Sequence, residues 1–129
     1  MSKDIVTILE DESSLGLTFP TNLGTGKEPT SPSNTVTIFD TGGQPPQLTL
    51  DIKGLEYPSV QIRVRNINYQ TGWALIESIK TVLHGLSQVT VNGTLYSVIY
   101  CASGPALLDW DDNSRARFII NFSAARRAT

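Results

Sequence analysis

The chain has 129 residues, 40% of them hydrophobic and 17% charged, with a mass of 14.1 kDa and a mean hydropathy of −0.08. A chain of this length is one domain's worth, residues 1–129, and buries roughly two-thirds of its unfolded surface, so it needs no disulfide or metal staple, and its composition excludes disorder throughout. Ten Lys and Arg against twelve Asp and Glu give a net charge of −2, which excludes the general basic excess of a free nucleic-acid binder.

In chain order, Ile5, Ile8, Leu9 and Leu15 recur on one helical face, predicting a helix from Lys3 to about Leu15 with Ser2 as N-cap, Asp4 in its first turn and Gly16 as its stop. Leu17-Thr18-Phe19 has strand character. Residues 20–34 hold three prolines and two glycines among Ser, Thr and Asn, and read as a long loop. The alternating, β-branched run Asn34–Asp40 predicts a strand. It is closed by a second loop at about 40–47, where Pro45-Pro46 cannot stay in a ladder. Gln47–Ile52 is a candidate edge segment. In Val60-Gln61-Ile62-Arg63-Val64-Arg65 the alternation is strict, placing three aliphatic side chains on the core face and Arg63 and Arg65 together on the other.

A second helix follows, capped by Asn68 and striped by Trp73, Ile76, Ile79, Leu83 and Leu86, with Leu75 and Val82 widening the stripe and Gly85 as its stop. Asn92-Gly93 between two apolar runs predicts a two-residue hairpin turn. After a loop containing Gly104-Pro105 and Asp109–Asn113, Arg115–Phe122 forms a last strand with Ala116, Phe118, Ile120 and Phe122 inward. The expected fold is α+β: a mainly antiparallel sheet of four to six strands with two helices packed on one face.

The motifs that would carry chemistry fail on inspection. Asp109/Asp111/Asn113 has the spacing of three calcium-loop ligands, but Ser114 and Ile120 stand where glycine and glutamate are required. Gly24-Thr25-Gly26-Lys27 lacks both the first glycine and the hydroxyl residue of a phosphate loop. His84 has no nucleophile or orienting carboxylate near it in sequence, and with Cys101 it cannot make a zinc site. Cys101, in an apolar run, is expected to be a buried small hydrophobe. No metal, cofactor or catalytic residue is expected. The N-terminus lacks a basic region followed by an apolar core, and no apolar run reaches the roughly 20 residues that cross a bilayer, so neither secretion by a signal peptide nor a membrane partner is expected.

Charge is divided unevenly along the chain. Residues 1–57 carry three basic side chains (Lys3, Lys27, Lys53) and eight acidic ones, a net of −5, so the remainder carries +3. An arginine-bearing sheet face in the same molecule as an acidic half suits head-to-tail contacts between copies.

The succession Tyr57-Pro58-Ser59-Val60-Gln61-Ile62-Arg63-Val64-Arg65, then Tyr69 and the helix through Leu86, a hairpin, Asp111-Asp112-Asn113-Ser114-Arg115 and Phe118–Phe122 resembles the tail terminator (minor capsid) proteins of long-tailed bacteriophages. Pro58, Arg63, Arg65, Asp112 and Arg115 are the pattern positions. The resemblance implies a structural virion protein assembled in the host cytoplasm. It would form a homo-hexameric ring that caps the head-proximal end of the tail tube, stops its polymerisation and meets the head connector or completion protein, with genomic DNA passing non-specifically through the lumen. A head completion protein of the neck, a small nucleic-acid-binding module and, least favoured, a small hydrolase are the alternatives. The candidate subunit-interface or lumen residues are Arg63, Arg65, Arg115, Arg117, Asp111 and Asp112; Lys27, Glu28, Gln44 and Trp110 are candidate docking-loop residues. At least one strand arginine pair is expected to engage protein carboxylates, between or within subunits, so charge reversal at Arg63 or Arg115 is expected to disrupt ring assembly.

Overall fold

The computed structural model describes residues 1–44 and 55–127. Helix α1 (Ser2–Asp11) is followed by a single 3-10 turn (Ser13–Leu15), strands β1 (Leu23–Thr25), β2 (Thr35–Gln44) and β3 (Leu55–Asn66), helix α2 (Tyr69–Leu83), and strands β4 (Leu86–Val91), β5 (Thr94–Trp110) and β6 (Ala116–Arg127). The six strands form one sheet in the order β1-β2-β3-β6-β5-β4. All neighbours are antiparallel except β1 and β2. The fold is α+β, as the periodicities predict, with three strands before the second helix and three after it.

Strict alternation decides which face of the sheet is covered. Val60, Ile62 and Val64 of β3 and Phe118, Ile120 and Phe122 of β6 are fully buried and meet as cross-strand pairs, Val64 with Phe118, Ile62 with Ile120 and Val60 with Phe122. Helix α2 lays Ile76, Ile79 and Leu83 on this floor, contacting β3, β5 and β6. Its first turn is fixed by Asn68, whose side chain accepts a hydrogen bond from the Thr71 amide at 3.0 Å. Helix α1 buries Ile5, Val6 and Leu9 and touches β1 and β2 at one side of the sheet and β4 at the other, so the sheet curls around it. The α1 contact with the far side is polar: Asp4 accepts from Asn92 at 2.9 Å and from the buried Tyr96 hydroxyl. Burial and the bond to Asp4 push Tyr96 up to about 12.

Several boundaries differ from the sequence expectation, each for a local reason. Ser2 lies inside α1 and does not cap it; its amide and hydroxyl donate to Asp40 at 2.9 and 2.7 Å. Leu17–Phe19 is irregular, and the strand in this region is β1, inside the segment expected to be loop. Leu23 is drawn into the core there, and the Val36 amide donates to the Asn22 carbonyl. Strand β2 runs on through the glycines to Gln44 by taking an irregularity between Thr41 and Gln44. Strand β3 begins at Leu55 and contains Pro58. The candidate segment Gln47–Ile52 lies outside the described residues. Leu86 belongs to β4, since the helix stops at Leu83 and Gly85 takes φ +89°. The Gly104-Pro105 segment, expected as loop, is strand. Register shifts on both sides of it let β5 reach Trp110. The Asn92-Gly93 turn holds as expected, with φ of 50° and 81°.

The tightest helix-to-sheet approach is at Gly72. A Cβ there would lie 2.6 Å from Phe118 Cε2 and 3.0 Å from Asn66 Cβ, and the Phe118 ring cannot retreat because Tyr69 and Trp73 pack against it. Gly72→Ala gains about 1 kcal/mol in helix propensity and loses about 1–3 kcal/mol to overpacking, so a lower urea midpoint is expected; an unchanged or higher one would show that α2 is free to lift.

Candidate functional site

The arginines that the alternation places on the helix-free face of the sheet do not stand in solvent. Across four strands one row reads Thr35 (β2), Arg65 (β3), Arg117 (β6) and Asp109 (β5). Two arginines directly opposite one another repel. The segment before β2 resolves this: Glu28 Oε1 lies 3.1 Å from Arg117 Nη1 and 3.5 Å from Arg65 Nη1.

The same segment offers its backbone. Arg65 Nε donates to the Ser33 carbonyl at 3.0 Å, and its Nη2 to Pro32 at 2.7 Å and Thr30 at 3.4 Å. Arg115 donates from Nη1 to Thr30 at 2.7 Å. Residues 28–33 thus form a strap bound to the outer sheet face by two guanidinium groups that are only 3% and 7% exposed. An arginine suits this task because its fork presents several donors in fixed directions to carbonyls that no strand pairs.

The other ends of these guanidiniums are held by carboxylates. Arg115 Nε donates to Asp111 Oδ2 at 2.7 Å and its amide to Asp111 Oδ1 at 2.9 Å. Arg117 grips Asp109 with two bonds of 2.6 Å. That bidentate bond holds the Asp109 carboxyl below the usual range. Burial pushes Asp111 upward, but the bonds from Arg115 and Asn113 outweigh it and leave it lowered. The bonds from Asp109 and Glu28 raise Arg117 further above its ordinary value, against desolvation. Arg65 is lowered by burial and by the neighbouring Arg115 charge, with Glu28 and Asp111 offsetting part of it.

Six of the sequence candidates, Arg65, Arg115, Arg117, Asp111, Asp112 and Glu28, therefore converge on one place. Glu28, Arg65, Arg115 and Asp112 line a cleft of about 260 Å³ there. Arg115 precedes β6 and is not on a strand face, and Arg65 and Arg115 are buried within the chain, not on a charged solvent face. Arg63, one row along, donates to Gln61 at 3.1 Å and lies 4.9 Å from the Phe39 ring centroid. Asp112 and Lys27 are exposed. Gln44 ends β2. Trp110 sits at the end of β5, not in a loop, 51% exposed and stacked on Tyr69 at 6.3 Å.

Asp109 was missed as an arginine partner because its spacing to Asp111 and Asn113 invited a metal reading. Opposite charges flanking a tight turn, Asp109 and Arg117, are the signal that finds it. Among the described residues no group of three or more His, Cys, Asp or Glu is placed to hold a metal ion, and no helix is long and apolar enough to cross a membrane. His84 accepts the Cys101 amide on Nδ1 at 2.9 Å. Cys101 is half-buried, not fully buried.

Two measurements check the network. Arg65→Met strands the Ser33 and Pro32 carbonyls, leaves Thr30 to Arg115 and weakens the hold on Glu28, for an expected loss of about 3 kcal/mol in urea unfolding; a loss below about 1 kcal/mol would mean that the strap is not anchored there. Because the carboxyls of Asp109 and Asp111 are lowered by folding, their contribution is whole above the unfolded value of about 3.9 and is lost as pH falls through the folded values. The urea midpoint should therefore fall on acidification below about pH 4, and Asp109→Asn should flatten that fall.

A family model described as bacteriophage tail terminator protein matches residues 10–126. None of the curated proteins matches the sequence significantly. Among solved structures, a chain from the virion of a native gene transfer agent particle superposes with a TM-score of 0.72 at 11% identity, covering 99% of this chain and 95% of that one. A second solved chain gives a TM-score of 0.57 at 10% identity over 100% and 98%.

Proposed function

The chain belongs to the bacteriophage tail terminator family, and from that premise we propose that it acts as a structural virion protein of the neck. A homo-hexameric ring of this one domain caps the head-proximal end of the tail tube, halts its polymerisation and presents a surface to the head connector or completion protein, with DNA passing through the lumen. The protein is assembled in the host cytoplasm and has no enzymatic role. The single observation that carries the reading is the family match over residues 10–126.

The site chemistry supports it. The carboxylates of Asp109 and Asp111 are committed to arginines, and His84 spends Nδ1 on a backbone amide, which suits a structural part better than a catalyst. Withdrawing Arg65 and Arg115 from the surface also suits a ring through which DNA must slide, because each exposed arginine on the path would add a salt-dependent phosphate contact. Asp112, Lys27, Arg63 and Trp110 remain available for contacts with neighbouring subunits, tube or connector.

Mixing the purified protein with growing tail tubes and imaging their ends tests the reading. Arrested tubes with a six-fold cap at one end are expected. Unchecked growth with bare ends would overturn it, and binding to the head connector without binding to tubes would assign the chain to head completion instead.

A further inference from the structure

The turn between β4 and β5 holds a reactive pair that the fold uses only for its shape. Asn92 is followed by Gly93, whereas every other asparagine is followed by a residue with a side chain. An asparagine loses its amide when the next peptide nitrogen gives its proton to hydroxide, bonds to the side-chain carbon Cγ and expels Nδ2 as ammonia. Water then opens the cyclic imide to aspartate or, by cleaving its other bond, to isoaspartate. One water enters, one ammonia leaves, and nothing is oxidised or reduced. A side chain on the following residue crowds the approach, and glycine removes the crowding. Both turn residues are exposed, and a Cβ added at Gly93 would meet nothing within 4 Å, so hydroxide and water reach the reacting atoms.

The leaving nitrogen is the atom that helix α1 holds. Asn92 Nδ2 donates to Asp4 Oδ1 at 2.9 Å and to Thr7 Oγ1 at 3.1 Å. Asn92 and Gly93 are also set at φ of 50° and 81°, the twist of a tight hairpin turn. Ring closure has to break both bonds and turn the side chain over the Gly93 nitrogen, so the helix restrains the reaction while the chain is folded. The product reverses the relation. A carboxylate oxygen in place of Nδ2 has no proton to donate, and its charge faces Asp4, whose other oxygen already accepts from the Tyr96 hydroxyl. Like charges at hydrogen-bond distance repel, and an attachment of α1 to the hairpin becomes a repulsion.

We infer that Asn92 is a site of spontaneous deamidation whose rate is set by its clasp on α1 and whose product loosens that helix from the hairpin. The coupling runs both ways because the same two hydrogen bonds restrain the leaving nitrogen and attach the helix. The amide is not rebuilt once lost, so the change accumulates with the age of a subunit. The chemistry belongs to the single chain and is independent of the ring reading.

The test incubates the full chain in warm, mildly alkaline buffer, folded and in urea, and follows each asparagine by mass spectrometry of its peptide. Asn92 should convert before any other asparagine, and more slowly folded than in urea. Folded Asp4→Ala should convert about tenfold faster than folded wild type, the factor for losing one charge-assisted hydrogen bond. Thr7→Val, which leaves the Asp4 bonds in place, should speed conversion less; circular dichroism checks that both variants are folded. Equal rates in wild type and both variants, or equal rates with and without urea, overturn control by α1, and earlier conversion at another asparagine overturns the site. Asn92→Asp carries the product's charge on an unaltered backbone. In it the Ile5–Leu9 amides should exchange with solvent faster than in wild type while those of α2 keep their rates; unchanged exchange in α1 overturns the release of the helix.

Discussion

Two arginines facing each other across a strand pair are the constraint on which the outer half of this structure depends. Arg65 and Arg117 occupy opposed positions on β3 and β6, where like charges destabilise a sheet. Glu28 answers both with one carboxylate oxygen. Because Glu28 arrives on a segment with no strand of its own, satisfying the arginines also fixes that segment, and its carbonyls become the remaining acceptors of Arg65 and Arg115. Electrostatic need and loop conformation are thus solved together. The arrangement leaves some polar atoms without partners among the described residues, Glu28 Oε2, Arg63 Nε and the hydroxyls of Thr35 and Thr37. The strap therefore contributes less stability than a fully satisfied network would.

The consequence for function is a change in what the charge division means. An acidic first half and a basic second half suggest contact between copies, yet Glu28 pairs with Arg65 and Arg117, and Glu56 with Arg126, all within one chain. Much of the complementarity is spent in building the subunit. The exposed large apolar side chains that remain include Leu107 and Leu108 of β5, the Tyr69-Trp110 pair and Phe19. In a family that works by assembly, such surfaces are where stable contacts are expected, with residual charges such as Asp112 and Lys27 setting orientation.

The parts legible in the sequence are those with a short period. The β3 alternation, the α2 stripe with its Asn68 cap, and the Asn92-Gly93 turn each encode their geometry within a few residues. Two features of the fold were not legible because their cause is distant. Strand β1 exists because Leu23 and the Asn22 carbonyl meet β2, which no local pattern announces. Strand β5 crosses Gly104-Pro105 because β6 supports it with shifted register. The site was half legible: alternation put Arg63 and Arg65 on one face, while Asp111 and Arg115 were named as candidates without being paired. That Glu28 would bridge β3 and β6 from a segment rich in proline could not be read locally, because a carboxylate in a loop carries no mark of its partner.

The arginine side chains themselves report whether the strap is held as described. In nuclear magnetic resonance of the arginine Nε–H groups, those of Arg65 and Arg115, buried and bonded to the Ser33 carbonyl and Asp111, should exchange with water far more slowly than that of the exposed Arg127. If Arg65 and Arg115 exchange as fast as Arg127, the strap is not anchored by guanidinium groups and the account of the outer sheet face fails.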